Sequence, residues 1–406
     1  MADTPTHIPL KRSLSKLLVL FYGLGTILGA GIYVLVGKVA AQAGLYAPLA
    51  FILAAFIALF TAVSYAELSS RFPKSAGEAF YVQHGFNHSW LSGLVGWLVV
   101  LTGVVSAAAI TRGFSGYFQL FFSLPSWISI VGLIVVMTII AIWGIKESAL
   151  LVMGITLVEI AGLVIIIVLA KDDFTHLPAV YRSAGPISYG VLAGIFSGAF
   201  LAFYSYIGFE DMVNVAEEIK HPEKNLPPAI FWALGIATLL YVLVSFAMVL
   251  AVPMDALASS GAPLATFIEI KGYSPNLIGV ISLIAIVNGA MAQIIMASRV
   301  IYGLAIQNQA PKLLGRVNKS TQTPMISTLL VSLIILILAL GFNIEYLANL
   351  TSSIILVVFI LIQLALVLIK LRGEKHPESV SYPLFFPVVG VVLSTLFLLA
   401  QWFDVF

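Results

Sequence analysis

Long apolar runs dominate the chain, and short polar stretches separate them. A membrane-spanning helix needs roughly 20 mostly apolar residues. The predicted spans are 16–40, 46–69, 90–112, 126–144, 148–170, 188–216, 228–251, 276–304, 324–342, 346–370 and 383–403. These runs are too long and too uniformly apolar for the alternating strands of a membrane barrel, which have about ten residues. The pattern therefore predicts an all-α polytopic membrane protein with about eleven transmembrane helices.

Two of these runs are interrupted, about half a chain apart. Gly29-Ala30-Gly31 breaks the first run, and residues 206–211 break the sixth. Paired broken helices in two halves are typical of a secondary transporter whose substrate site lies near the bilayer midplane. We therefore predict that helices 1 and 6 are unwound. The same pattern predicts two inverted five-helix repeats, at about 16–171 and 187–371, followed by an extra helix at about 383–403.

Basic residues are distributed unevenly between the two predicted sides. Lys and Arg in short loops are retained on the cytoplasmic side, and a cytoplasmic tail at 1–15 places fifteen of the twenty Lys and Arg residues inside. We therefore expect a multi-pass plasma membrane protein with its N-terminus in the cytoplasm and its C-terminus outside. Because no A-x-A cleavage site follows Lys16, we expect the first span to remain as a helix.

Composition narrows the possible chemistry. Only 9% of residues are charged and 61% are apolar, against about 25% charged in soluble domains. The chain has no cysteine, which excludes thiolate metal sites. All six histidines fall in predicted loops or in the tail: His7, His84, His88, His176, His221 and His376. Ser115, in the serine-protease-like sequence 113–116, therefore has no base, so we expect neither an enzyme nor a metal or organic cofactor.

The broken helices offer backbone groups to a ligand. Glycines lower helix propensity by about 1 kcal/mol each, and the N–H groups that begin the next half-helix favour a carboxylate. Unpaired carbonyls at the end of the preceding half-helix favour an ammonium group. An α-amino acid carries both groups. The alternative is that Gly25 and Gly29 only allow close helix packing.

Several motifs occur in the order found in one family. They are 28–33 (LGAGIY), 64–68 (SYAEL), 71–78 (RFPKSAGE), 203–228 (FYSYIGFEDMVNVAEEIKHPEKNLPP), 297–302 (ASRVIY), 310–312 (APK) and 323–324 (TP). Together they resemble the amino acid-polyamine-organocation (APC) superfamily, in the branch that includes cationic amino acid transporters and their bacterial homologues. The resemblance covers residues 16 to about 372.

The resemblance implies a five-plus-five inverted-repeat (LeuT-like) fold that works by alternating access. An amino acid would lie between helices 1, 3, 6, 8 and 10, and Tyr204 would close over it on the outer side. Ala30 and Gly31 would offer N–H groups to the carboxylate, and carbonyls around the breaks would accept the ammonium. The implied substrate-binding residues are Ile27, Gly29, Ala30, Gly31, Tyr204, Ser205, Ile207 and Gly208.

Two acidic residues are candidates for coupling or gating. Glu210 lies beside the broken sixth helix, where a packing contact is the alternative role. Aligning residues 144–149 with the family places Glu159 where many proton-coupled members carry a lysine. A protonated Glu159 could occupy that place, an ionised one could hold sodium, and a structural hydrogen bond would suit a proton-independent exchanger or uniporter. We favour the proton as coupling ion over sodium.

The predicted function is secondary active transport of an amino acid, coupled to protons. The alternatives are a proton-independent amino acid or amine exchanger and a non-transporting amino acid sensor. We expect contact with membrane lipid, no nucleic acid and no obligatory protein partner.

Other polar residues in or near the spans have less specific predicted roles. Thr102 stands where the branch often has a carboxylate. For Asn288 and Gln293 we favour interhelical hydrogen bonds over substrate contacts. Six charged residues at the inner helix ends would form ion pairs or be solvated: Glu67, Arg71, Glu78, Glu217, Glu218 and Lys220.

Overall fold

A computed structural model describes residues 12–74, 77–143, 149–183, 188–318, 320–374, 376 and 379–403. Within these ranges, nine helical stretches are long and apolar enough to cross a membrane, and the apolar helices Lys16–Leu28 and Met325–Gly341 are shorter. The chain is therefore a multi-pass, all-α membrane protein, as predicted. The count of eleven crossings stays a prediction. Residues 1–11 of the predicted tail, and 144–148 between the fourth and fifth spans, lie outside the described residues.

The predicted apolar runs coincide with helices. The α-helices are α1 (Lys16–Leu28), α2 (Ala30–Ala43), α3 (Ala47–Arg71), α4 (Gly77–Phe86), α5 (Ser89–Phe118), α6 (Ser126–Trp143), α7 (Ala149–Leu169), α8 (Leu177–Ser183), α9 (Tyr189–Phe203), α10 (Pro222–Ala251), α11 (Met254–Ser259), α12 (Pro263–Ile270), α13 (Asn276–Ile306), α14 (Met325–Gly341), α15 (Ile344–Leu371) and α16 (Phe385–Trp402). The 3₁₀ segments are Gly44–Tyr46, Asp173–His176, Tyr204–Tyr206, Glu210–Glu218 and Lys312–Gly315.

Polar caps fix where three of these helices begin. The side chains of Ser15, Ser188 and Asn343 accept hydrogen bonds from backbone N–H groups three residues later, at 3.4, 3.4 and 2.8 Å. Such caps satisfy N–H groups that have no partner inside the helix. The starts of α1, α9 and α15 are therefore specified locally, within long apolar sequences that would otherwise leave them undefined.

Helices 1 and 6 are broken, as predicted. Gly29 separates α1 from α2 with φ −35° and ψ −143°. In the sixth helix, α9 ends at Phe203, and Ile207 is extended with φ −63° and ψ 132°. Gly208 follows with φ 131°, a backbone region that side chains rarely adopt. Glycine is therefore required at the second break.

The broken helices pack against each other and against neighbouring helices of the bundle. α1 packs against α7 and α10, α2 against α9, α3 against α10, and α5 against α13. The pairs α3–α10 and α5–α13 are predicted spans 2 and 7 and spans 3 and 8, which hold equivalent positions in the two repeats. These contacts support the repeat arrangement, whose boundaries stay predictions.

The bundle has two ends, called the Arg71 end and the Lys38 end after one charged residue at each. The Arg71 end holds the last turn of α3, the start of α10 and the end of α15, which are linked by Ser70 to the Glu223 carbonyl at 3.1 Å and by Lys370 to Glu67 at 2.5 Å. The Lys38 end holds the last turns of α2 and the start of α15, linked by the Lys38–Glu345 ion pair.

Candidate functional site

A cavity of about 760 Å³ lies between the two broken helices and the pair α5 and α13. Five of the predicted site residues line it: Ile27, Gly29, Gly31, Tyr204 and Ile207. The facing wall is mostly apolar and carries few polar side chains. It includes Val99, Ser106, Ile110, Asn288, Gly289, Ala292, Gln293 and Met296. The structure therefore brings the two predicted breaks together around one space, while the role of each residue there stays a prediction.

The two breaks touch each other through glycines. A Cβ atom on Gly31 would lie 2.7 Å from the Cα of Ser205, and one on Gly208 would collide with the carbonyl of Thr26. The Thr26 hydroxyl donates to the Gly208 carbonyl at 2.9 Å. Ser205 and Gly208 thus belong to the contact between the breaks, behind the cavity wall. The role of Thr26 in this contact was not predicted from the sequence.

Backbone donors and acceptors are available at both breaks. α2 begins at Ala30 directly after Gly29, which provides no side-chain cap, and the first N–H groups of a helix have no partner within it. The carbonyls of Ile27 and Ser205 both accept from the hydroxyl of Tyr241, at 2.6 and 2.9 Å. Because each carbonyl has two lone pairs, these oxygens keep capacity for an ammonium group. Tyr241 was not predicted from the sequence, since a tyrosine in an apolar run resembles a core residue.

Tyr204 separates the cavity from the Lys38 end. Its hydroxyl lies 2.9 Å from Ser106 Oγ of α5 and also donates to the Ser106 carbonyl at 3.1 Å. Beyond it, Lys38 donates to the carbonyl of Ala258 at 2.6 Å and pairs with Glu345 at 3.2 Å. These bonds close the bundle on that side of the breaks.

The cavity extends from the breaks toward the Arg71 end. Its lining there includes Leu14, Glu78, Asp211, Glu218 and Gln307. Leu14 also pairs with the segment after the sixth helix: its N–H donates to the Glu218 carbonyl at 3.0 Å. The space between the breaks is therefore continuous with one end of the bundle and closed from the other.

Glu210 contacts the second break directly. It is 5% exposed, and its Oε2 accepts from the backbone N–H of Gly208 at 2.8 Å. The next residue, Asp211, lines the cavity, whereas Glu210 does not. The bond to Gly208 is a packing contact of the kind considered as an alternative, and a gating role for Glu210 stays a prediction.

Glu159 lies completely buried on α7, facing α13 and the first broken helix. Asn288 donates to its Oε1 at 3.4 Å, so the interhelical hydrogen bond favoured for Asn288 is present. Its Oε2 is buried and has no hydrogen-bond partner among the described residues. Tyr33 of α2 donates to the backbone carbonyl of Glu159 at 2.5 Å. Tyr33 thus links the backbone of Glu159 to α2, and the Glu159 carboxyl group has one oxygen without a described partner.

Charged residues at the Arg71 end divide into paired and unpaired groups. Glu67 pairs with Arg71 and Lys370, each at 2.5 Å, which is the ion-pair alternative raised for Glu67 and Arg71. Glu78 is 5% exposed and has no ion pair with a described residue. Burial raises its pKa to about 8, and the nearby Asp211 carboxyl adds to the rise.

Known proteins resemble the chain along almost its whole length. Branched-chain amino acid permease BcaP of Bacillus subtilis (strain 168) is 27% identical over 428 residues, covering 98% of this chain and 90% of that protein. The methylthioribose transporter of the same organism is 29% identical over 427 residues, covering 97% and 88%. Cationic amino acid transporter 3, mitochondrial, of Arabidopsis thaliana is 29% identical over 401 residues, covering 93% of this chain but only 65% of that longer protein.

The family assignment rests on nearly the entire sequence. A family described as amino acid permease matches residues 14–405, and the relatives are named as permeases and transporters rather than enzymes. The five-plus-five inverted-repeat fold fits this family and the two broken helices. As its motifs indicated, the chain belongs to the amino acid permease family of the APC superfamily.

Proposed function

We propose that this protein moves an amino acid across the plasma membrane by alternating access, coupled to protons. The single observation that carries the proposal is the cavity at which both broken helices meet. Backbone N–H groups begin α2 at the first break, and Ile27, Tyr204 and Ile207, whose carbonyls belong to the two broken segments, line the cavity. A zwitterionic amino acid carries a carboxylate that the N–H groups can bind and an ammonium group that the carbonyls can bind.

The extent of the cavity also supports a proposal about which conformation of the transport cycle this structure represents. The cavity is continuous with the Arg71 end and closed at Tyr204 toward the Lys38 end. The uneven distribution of Lys and Arg favours a cytoplasmic Arg71 end. We therefore propose that this conformation faces the cytoplasm, and that transport requires opening at the Tyr204–Ser106 contact and closure around Leu14 and Glu218.

Glu159 is the proposed proton site. A carboxylate in a membrane span costs at least about 2.5 kcal/mol when it is ionised, and only one of its oxygens has a described partner. Gain and loss of a proton would change its attraction for the carbonyls at the end of α1. That change couples protonation to the first break.

The carried amino acid has to be identified by measurement, because the named substrates of the relatives differ. These names include branched-chain amino acids, cationic amino acids and methylthioribose. Uptake of a radiolabelled amino acid panel into proteoliposomes identifies the substrate. An imposed inward proton gradient should accelerate that uptake, and an unchanged rate would contradict proton coupling.

Competition tests the assignment of the two backbone sites. With the identified substrate as label, analogues that lack the α-carboxylate or the α-ammonium group are added in excess. We expect each to compete far more weakly than the parent amino acid, since each loses one charged group. Strong competition by amines without a carboxylate would contradict the role given to the N–H groups of Ala30 and Gly31.

A further inference from the structure

One side chain connects the two unwound segments. Tyr241 lies in the middle of α10 and is completely buried. Its hydroxyl is 2.6 Å from the carbonyl oxygen of Ile27 in the first break and 2.9 Å from that of Ser205 in the second. Both carbonyls belong to the set assigned to the substrate ammonium, although Tyr241 itself does not line the cavity.

The ring of Tyr241 is fixed by its neighbours. It packs against Phe51 with centroids 5.8 Å apart and against Tyr206 with centroids 5.2 Å apart. Because α10 is continuous from Pro222 to Ala251, the hydroxyl is presented from a regular helix to two irregular segments. The hydroxyl of Tyr241 therefore fixes the positions of both carbonyl oxygens relative to α10.

The numbers of hydrogen-bond donors and acceptors around the Tyr241 hydroxyl favour binding of a cation. A tyrosine hydroxyl has a single proton, whereas the two carbonyl oxygens it contacts have four lone pairs between them. One donor shared by two buried acceptors leaves them undersatisfied. An ammonium group supplies three donors and a positive charge, and charge-assisted bonds of this kind are about twice as strong as neutral ones.

On this basis, and resting on the proposed function, we propose that Tyr241 is a positioning residue for the substrate ammonium. Its hydroxyl ties the carbonyl of Ile27, which lines the cavity, to the Ser205 carbonyl of the second break, and so fixes the Ile27 oxygen in position for the ammonium group. The glycine contacts bring the segments together, and Tyr241 directs their oxygens. Preorganisation of this kind lowers the cost of binding.

The test is Tyr241→Phe, which keeps the ring and removes the hydroxyl. We expect the KM for uptake of the identified amino acid to rise roughly tenfold, the effect of losing about one buried hydrogen bond. The maximal rate per reconstituted protein should change by less than about twofold. The substrate concentration that gives half-maximal thermal stabilisation in detergent should rise by the same factor, which keeps the comparison available for a variant with slow uptake.

Tyr117→Phe is the matched control. Tyr117 on α5 is equally buried, but its hydroxyl donates to the Tyr33 carbonyl at 2.6 Å, outside both breaks. Its KM should stay within about twofold of the parent. Equal rises in both variants, or a lower maximal rate with unchanged KM in Tyr241→Phe, would overturn the proposal.

A deaminated analogue ties the effect to the ammonium group. A 2-hydroxy acid with the substrate's side chain should compete equally well in the parent and in Tyr241→Phe, because it has no ammonium to lose. If this analogue also competed tenfold more weakly in Tyr241→Phe than in the parent, the assignment to the ammonium group would be contradicted. Failure of the parent to take up any amino acid would instead overturn the proposed function.

Discussion

Glu67 and Glu159 are both completely buried, yet their surroundings are opposite. Glu67 Oε1 accepts from Arg71 and Lys370 at 2.5 Å and from Ser381 at 3.3 Å, and its Oε2 accepts from the Tyr382 N–H at 3.0 Å. Glu159 has one amide contact at 3.4 Å and an oxygen with no described partner. One carboxylate is saturated, and the other is half paired.

This difference separates a structural role for Glu67 from the proton-site role that we propose for Glu159. A buried carboxylate that accepts from two cations, a hydroxyl and an N–H group is a structural group, because its loss would leave those buried donors unpaired. Glu67 thereby ties α3 to α15 and to the segment that leads into α16. The segment that precedes the extra helix is consequently attached to the bundle by hydrogen bonds from Ser381 and Tyr382 to Glu67. A half-paired carboxyl group can change protonation with little rearrangement, as a coupling site requires.

The largest effect expected from this comparison is loss of stability in Glu67→Gln. The amide leaves Arg71 and Lys370 without their anion, and breaking a buried pair costs about 3–5 kcal/mol. We expect a pronounced fall in melting temperature in detergent. Measurement by intrinsic fluorescence or by size-exclusion after heating is sufficient.

The control for this loss is Glu345→Gln, which removes a partner from an exposed pair. The Glu345 side chain is 41% exposed where it meets Lys38, and exposed pairs contribute about 0–1 kcal/mol. Its melting temperature should stay close to that of the parent. If Glu67→Gln is no less stable than this control, Glu67 is not the structural anion described above.

Glu78 extends the comparison to a buried carboxyl group with no described cation partner. Its folded pKa of about 8 lies above the unfolded value of 4.5. Between these values the unfolded chain has released a proton that the folded one keeps, so stability falls as pH rises. The contribution of Glu78 to the slope of the free energy of unfolding against pH reaches about 1.4 kcal/mol per pH unit.

Glu78→Gln should remove this contribution, because the amide is neutral throughout. Melting temperatures measured from pH 5 to pH 8 should decline less steeply in the variant than in the parent. Parallel curves for the two proteins would show that Glu78 does not keep its proton on folding.

The smallest stability effect concerns the single hydrogen bond to Glu159. Asn288→Leu removes that bond at about 1 kcal/mol. Gln293→Leu on the same helix removes a side chain that lines the cavity and has no bond to a described residue, so its melting temperature should change less. The reverse order would contradict the claim that Asn288 is the partner of Glu159.

The sequence predicted features that depend on neighbouring residues. Apolar runs define spans, and glycines inside a run mark breaks, because both signals lie in one continuous stretch of sequence. The Glu67–Arg71 pair, four residues apart on α3, was also within reach of sequence reasoning. Lys370 and Ser381, about 300 residues away, were not.

Contacts between distant helices account for what the sequence missed. Tyr241 and Thr26 join the two breaks through hydroxyl groups, but neither residue type is unusual in an apolar helix. Glu159 became a candidate only by alignment to the family through residues 144–149, of which 144–148 lie outside the described residues. Its half-paired environment depends on α13 and could not be predicted.

Proton movement during transport tests the central claim most directly. A pH-sensitive dye inside proteoliposomes reports protons that enter with the identified amino acid in the absence of an imposed gradient. The parent should acidify the interior when substrate is added outside, and Glu159→Gln should transport substrate without acidification while keeping its melting temperature. Equal acidification by both proteins, or none by a transporting parent, would contradict the assignment of Glu159 as the proton site.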